Sequence, residues 1–382
     1  YHFFHEEITM NHTPSRREIL KSFAVLPLFP AVNVFNSNLL YANDAKGSHD
    51  ARYWHKVDKN IIKCDLCPNG CTLAPGATGI CRGRQNRNGS LKTLGYGYPC
   101  AIHLDPVEKK PLYHFLPGSK SFSIAIAGCS LRCKNCQNYT ISQVSPLSTD
   151  VPYVHPRELV RQAVESGAQS IAYTYSEPTV WIEYMYDTAM LAKKANLKNI
   201  LVSSGYVNNT PISDLAPVID AAHIDLKSFD DSLYKSLNSG TLNPVLDTIK
   251  TAKQKGIWVE IVNLVIPKLT DNIDMIRSMC RWIHDTTGND TPLHFSRFFP
   301  MYQLSNLPVT STEILITAQK IAREEKLSFV YIGNVPELDT NTYCPSCNTL
   351  LIERKGYRTV VKGIVQSKCA KCKLHIPGIW SL

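Results

Sequence analysis

Between residues 119 and 338 the chain alternates two patterns. Apolar runs rich in β-branched residues occupy 121–127, 170–174, 199–202, 223–226, 258–266, 293–298 and 328–332. Between them lie stretches of helical period at 156–166, 179–195, 243–255, 272–285 and 311–326. Runs of continuous apolar character separated by amphipathic helices predict parallel strands joined by right-handed crossovers, in a barrel or a doubly wound sheet. Reactive groups in such folds gather at the C-terminal ends of the strands.

The flanks break the pattern. Residues 51–118 are crowded with turn formers, including Pro68, Gly70, Pro75, Gly76 and Gly79, which predict loops with little core of their own. The segment from Asp105 to Gly118, with Pro106, Pro111 and Pro117 and alternating charges, reads as an extended connector whose charges are solvated, with substrate contact through Lys109, Lys110 or His114 as the alternative. Residues 339–382 form a third region with a strand-like run at 357–365. At the start, in a leader covering 1–50, Ser15 to Lys21 with the pair Arg16-Arg17 precedes an apolar run from 23 to 35. This resembles a twin-arginine export signal. Pro27 and Pro30 interrupt the run, which is too short to predict a transmembrane span.

Composition narrows the function classes. With 44% hydrophobic and 19% charged residues, the 382-residue chain is ordinarily globular. Its net charge of +9 is spread along the sequence rather than gathered into a basic run, so nucleic-acid binding is not indicated. Of the 13 cysteines, all but Cys100 and Cys280 fall into three clusters. Clustered CxxC spacing in a long chain points to metal rather than disulfides, and to a reducing compartment.

The first cluster, Cys64, Cys67, Cys71 and Cys81, offers four thiols in a loop-rich segment, enough to close a structural zinc site or an iron–sulfur cluster. The third, Cys344, Cys347, Cys369 and Cys372, sets two CxxC knuckles around 21 residues, the spacing of a zinc ribbon, with a rubredoxin-like iron site as alternative. The second differs. Cys129, Cys133 and Cys136 supply three thiols directly after the apolar run 121–127. Three thiolates on an iron–sulfur cluster leave one iron open for chemistry. A zinc knuckle would need a fourth ligand, and the next candidate downstream is His155.

CxxxCxxC at this place resembles the radical SAM superfamily. Candidate ligands follow the other predicted strands: Glu177, then Ser203 and Ser204, then Asp225 and Lys227, with Asn263, His294, Arg297 and Tyr302 further on, and Asn334 beside Gly333; His294 in particular also reads as a satisfied core histidine. Together with the Asp105 to Leu112 stretch, they make the chain similar to the AmmeMemoRadiSam system radical SAM enzymes, relatives of pyruvate formate-lyase activating enzymes. That resemblance implies an α/β fold: a partial (β/α)6-type radical SAM barrel at 119–338, an N-terminal Cys-rich module at 51–118 and a C-terminal zinc-ribbon-like module at 339–382. It implies a [4Fe-4S] cluster on Cys129, Cys133 and Cys136, with S-adenosylmethionine on its free iron. Glu177 would hold the methionine amino group, Asp225 and Lys227 the ribose or carboxylate, Ser203 or Ser204 a neighbouring contact, and Asn334 the adenine. Activases commonly place an aromatic before the third cysteine, where this chain has Asn135.

The implied activity is reductive cleavage of S-adenosylmethionine and hydrogen abstraction from a protein or small molecule. The implied partners are a flavodoxin or ferredoxin as electron donor, and Memo-like and AMMECR-type proteins as associates. The expected location is the cytoplasm, where that cofactor and a low-potential reductant are supplied; export through the leader is the alternative. The cysteine clusters also leave open a multi-site iron–sulfur electron carrier, or a zinc-ribbon adaptor for a partner protein or nucleic acid.

Overall fold

A computed structural model describes residues 45–382; the leader with Ser15 to Lys21 lies outside the described residues. An eight-stranded sheet organises the chain. It runs β6 (Ala101–Pro106), β7 (Lys120–Ala125), β8 (Ser170–Tyr173), β9 (Lys198–Ser203), β10 (Ala221–Asp225), β11 (Trp258–Val265), β12 (Leu293–Arg297) and β13 (Val330–Gly333), each bonded to the next. The strands β7 to β13 are parallel, and β6 pairs antiparallel with β7. Six helices cross between the seven parallel strands: α1 (Pro156–Glu165), α2 (Ile182–Lys194), α3 (Asn209–Leu215), α4 (Asn243–Gln254), α5 (Ile273–Thr287) and α6 (Thr312–Glu324). This is the β/α alternation of the partial barrel, with a seventh strand at its end.

All seven apolar runs became strands because both of their faces are covered. Ile171, Leu201 and Ala222 belong to the main core with the helices, while Ala172, Ile200 and Ala221 pack in a separate cluster on the other face. Capping sets the helix starts: Asn272 accepts from Met275 N, Ser311 accepts from Ile314 N, and Pro156 opens α1.

The N-terminal region holds more strand than its turn formers predicted. β1 (Trp54–Asp58), β2 (Ile61–Cys64) and β3 (Thr72–Leu73) form an antiparallel sheet, and β4 (Arg84–Arg87) with β5 (Ser90–Thr93) a hairpin. Ile62, Leu66, Leu73 and Leu91 join the same core as the barrel, so the small module needs no core of its own. At the other end, β14 (Thr342–Tyr343), β15 (Leu350–Lys355) and β16 (Arg358–Val361) make a sheet, and β17 (Ile364–Val365) with β18 (Lys368–Cys369) a hairpin. Leu351, Ile352 and Ile376 from this part pack on Phe329 and Tyr331 of the barrel.

The segment after β6 corrects one expectation. Its charges are not solvated: Asp105, Glu108 and Lys110 are all buried. Lys110 Nζ lies 2.6 Å and Lys109 Nζ 2.9 Å from the Asp105 carboxylate, and Glu108 accepts from Gly118 N at 2.7 Å. Val107, Leu112, Phe115 and Leu116 meet Ala172, Ile200 and Ala221, so the connector fills the inside of the sheet. His114, completely buried, donates from Nδ1 to Pro377 O and accepts the Tyr331 hydroxyl at Nε2. Glu260, beside it, accepts from Tyr113 N, His114 N and the Trp258 indole and pairs with His294. His294, a candidate for the mouth, is thus part of the interior.

Burial pushes the His114 imidazole down from 6.5 to about 4, with Glu260 opposing in part. The unfolded chain therefore binds more protons between those values, and stability falls as pH drops from 6.5 toward 4. Urea unfolding at pH 5 is expected to show about 2 kcal/mol less stability than at pH 7 from this group. The loss should shrink in a His114→Asn variant, which has no imidazole to charge.

Candidate functional site

β7 ends at Ala125, and the chain turns at Gly128, whose φ of +108° is a conformation that a side chain rarely adopts. A Cβ there would also stand 2.6 Å from Cys81 O. The turn starts the loop that carries Cys129, Cys133 and Cys136, and its backbone is tied on several sides. Gly128 N donates to Ile141 O, Cys129 N to Cys81 O, Arg132 N to Asn238 O and Lys134 N to Leu237 O, all within 3.2 Å. Gln303 N in turn donates to Lys134 O. A loop held this way presents its thiols in one arrangement before any ligand arrives.

The three thiols are free and buried or half-buried. Burial pushes the Cys129 thiol well above its ordinary value, and the nearby Glu177 carboxylate and the two other thiols add to the rise. Burial raises Cys133 too, against the Lys227 ammonium and a hydrogen bond from Asn238. Buried thiolates without a cation are costly, and a bound iron would remove that cost.

Across the strand ends the structure brings Glu177, Ser203 and Ser204 together. Glu177 Oε1 accepts from the Ser203 hydroxyl at 2.7 Å and the Thr179 hydroxyl at 2.9 Å. Its Oε2 accepts from Ser204 N at 2.9 Å and the Ser204 hydroxyl at 2.6 Å. The carboxylate is 2% exposed, and these donors use its lone pairs.

A second group forms at the end of β10. Lys227 Nζ and His223 Nε2 each lie 2.8 Å from the Asp225 carboxylate. His223 Nδ1 donates to Lys110 O, which leaves the ring oriented toward Asp225. Burial alone would raise the Asp225 carboxyl, but Lys227 and His223 outweigh it and hold it well below the usual range. The Lys227 ammonium is likewise raised by Asp225 against burial.

The other candidates divide. Asn334 is exposed and donates to the Ser296 hydroxyl at 2.9 Å, apart from both groups. Arg297 donates to Thr310 O, and Tyr302 stacks on Tyr139 of the Cys loop at 4.5 Å between ring centroids. Asn263 donates to Leu226 O from below Asp225. Three buried oxygens around the mouth have no hydrogen-bond partner: Asn135 Oδ1, Asn238 Oδ1 and Asn263 Oδ1. Unpaired buried acceptors are costly and mark places where a ligand group fits.

Two participants escaped the sequence reading. His223 precedes Asp225 by two, so the strand period alone would have put it on the same face. Asn238, which reaches Cys133, closes a π-helical turn (Tyr234–Asn238) over 100 residues away and carries no sequence signal.

The two terminal cysteine groups differ in geometry. The donor atoms of Cys344, Cys347, Cys369 and Cys372 all lie within 4.8 Å of one another, the one such group among the described residues. Cys64, Cys67, Cys71 and Cys81 instead line a common pocket. No helix of the described residues is long and apolar enough to cross a membrane.

The Radical SAM superfamily model matches residues 123–283, which start in β7 and end in α5. An uncharacterised protein of Methanocaldococcus jannaschii is 44% identical over 329 residues, covering 85% of this chain and 97% of that protein. The pyruvate formate-lyase-activating enzyme of Clostridium pasteurianum is 22% identical over 176 residues, 44% of this chain and 70% of the enzyme. Among solved structures, a radical SAM methyltransferase from Sphaerobacter thermophilus matches 57% of this chain and 67% of its own at 15% identity, with a TM-score of 0.45.

Proposed function

We propose that this chain, which belongs to the radical SAM superfamily and is a radical SAM enzyme, holds its [4Fe-4S] cluster on Cys129, Cys133 and Cys136. Its S-adenosylmethionine would then lie across the ends of β8 to β10. The observation that carries the reading is the braced loop 128–136, which offers three free thiols and contains no fourth cysteine or histidine. When bound, cluster and cosubstrate supply a 5′-deoxyadenosyl radical by one-electron cleavage of the sulfonium.

The surrounding residues suit that cosubstrate. Glu177 is spent on hydroxyl and amide donors, so the methionine ammonium is best met by the Ser203 and Ser204 oxygens. Glu177 polarises both hydroxyls and supplies the negative charge behind them. Asp225, ionised and oriented by His223, accepts from the ribose hydroxyls, and Lys227 offers its ammonium to the methionine carboxylate. Asn135, in place of the activases' aromatic, has an unpartnered Oδ1 that fits the exocyclic amine of adenine. Asn334 closes the adenine side from β13. At the C-terminal group, four thiol sulfurs gathered within 4.8 Å suit tetrahedral zinc.

The hydrogen donor is proposed to be a protein or a small molecule, in activase or maturase fashion. The activating-enzyme relatives are named for a protein target, and the AmmeMemoRadiSam resemblance adds Memo-like and AMMECR-type associates. A flavodoxin or ferredoxin would deliver the electron in the cytoplasm. The test is anaerobic: reconstituted protein with dithionite should release 5′-deoxyadenosine and methionine, and deuterated candidate substrates should pass label into the nucleoside. Absence of cleavage by fully iron-loaded protein overturns the reading. Asp225→Asn should weaken S-adenosylmethionine binding by about 10- to 100-fold in equilibrium dialysis, the cost of one hydrogen bond to a charged group.

A further inference from the structure

The function proposed above leaves Cys64, Cys67, Cys71 and Cys81 unused. We infer that these four thiols hold a second iron–sulfur cluster, which passes electrons to the one on Cys129, Cys133 and Cys136. The metal assignment stands on the geometry of the four thiols; the relay role rests on the radical SAM reading of the acceptor.

Three observations carry it. The first is the shape of the site. Tetrahedral zinc brings its sulfurs to one point, roughly 3.8 Å apart for Zn–S bonds of about 2.3 Å. The C-terminal four approach that, with all donors within 4.8 Å. No three of the N-terminal four come that close together, and all four line one common pocket. A cubane cluster takes one thiolate on each of its irons, and so needs the wider cage.

The second is a pair of idle donors in the walls. Arg84 and Ser130 both line the pocket and both are 1% exposed. Arg84 Nε and Ser130 Oγ have no hydrogen-bond partner, although Arg84 uses its other nitrogens on Glu183, Arg52 O and, at 4.0 Å, Cys64 Sγ. Buried N–H and O–H groups beside sulfur are how proteins tune cluster potentials, and a cluster held among these thiols would give both groups a partner.

The third is location. Cys81 O accepts from Cys129 N at 3.2 Å, and Asn69 Nδ2 donates to Ser130 O at 2.8 Å. The two cysteine loops thus share a wall, and Ser130 belongs to both. A structural metal needs no such contact, whereas an electron relay does. In the relay a low-potential one-electron carrier of the flavodoxin or ferredoxin class is oxidised and the N-terminal cluster gains its electron. That cluster then returns to its oxidised state by passing the electron to the second cluster; no bond forms or breaks.

The full-length triple variant Cys129→Ala/Cys133→Ala/Cys136→Ala tests the assignment without depending on turnover. After anaerobic reconstitution with iron and sulfide it should keep about four iron and four sulfide per chain, against about eight of each in the unmutated protein. On dithionite reduction it should show the electron paramagnetic resonance signal of a reduced cubane. A triple variant with zinc at both terminal groups and no iron or sulfide overturns the proposal. Equal iron in the triple variant and the unmutated protein would instead overturn the first cluster's assignment, so the two failures are distinct. Cys67→Ser/Cys71→Ser should slow flavodoxin-driven cleavage at least tenfold more than dithionite-driven cleavage; equal slowing would overturn the relay.

Discussion

Cys133→Ala protein, reconstituted under the same anaerobic conditions, should contain about four fewer irons per chain and release no 5′-deoxyadenosine above the iron-free background. Cys133 is the most enclosed of the three thiols, between the Lys227 ammonium and Asn238. Its loss leaves two ligands for a cluster that already lacks a fourth. Because the loop backbone is fixed by its own hydrogen bonds, circular dichroism and thermal unfolding should stay near those of the unmutated apoprotein. Asn238→Ala tests the outer contact separately: it should weaken iron retention about 10- to 100-fold without removing a ligand. Retained cleavage in Cys133→Ala, measured by chromatography of the nucleoside, would contradict the site as proposed.

Glu183→Gln should cost about 3–5 kcal/mol in urea unfolding of the apoprotein. Arg84 and Glu183 form a deeply buried ion pair, at 1% and 2% side-chain exposure. Glu183 also accepts from Arg52 N at 2.7 Å, and Arg84 donates to Arg52 O at 3.1 Å, so the pair joins the N-terminal module to α2. The amide keeps the shape and removes the charge, leaving a guanidinium without its counterion in the interior. Changing both partners, as in Arg84→Met/Glu183→Leu, should recover most of the loss, because a buried pair replaced by apolar groups leaves no orphaned charge. If Glu183→Gln shifts the midpoint by less than about 1 kcal/mol, the pair is solvated and the packing described is wrong.

The sequence reading succeeded where one local property decides the outcome. The seven parallel strands were legible because a strand covered on both faces has to be apolar throughout, and the crossover helices α1, α2 and α4 to α6 because their apolar residues recur at the helical period. The cysteine groups were legible because thiols at fixed short spacing are scarce for any other reason. α3 was missed: seven residues with Pro211 inside them show too little period to read. The strands of the N-terminal module were missed because β1 is mostly exposed, and its pairing, not its composition, makes it a strand.

The connector shows the limit most clearly. Asp105 and its lysines lie four and five residues apart, so their pairing was visible in the sequence. Their burial was not, because it depends on Ala172, Ile200 and Ala221 leaving room on the inner face of three other strands. The core reading of His294 was open in the sequence, but its partner was not visible there: Glu260 stands on the neighbouring strand, 34 residues away. Glu177 was found, yet its saturation by Ser203, Ser204 and Thr179 could only be seen once the hydroxyls had positions.

The seat of His114 carries a consequence for biosynthesis. Its ring is completed by Pro377 O, Leu116 N donates to Ile379 O, and Ile379 N to His114 O. Residues near position 115 therefore wait for residues near 378, the full span of the barrel, before their polar groups are matched. A ribosome-bound chain holds the connector incomplete until residues 377–379 have emerged, which makes that short segment a checkpoint on the first barrel strand. Nascent chains stalled before residue 376 should accordingly be cut by protease near the connector, and chains with residues 377–379 released from the ribosome should resist.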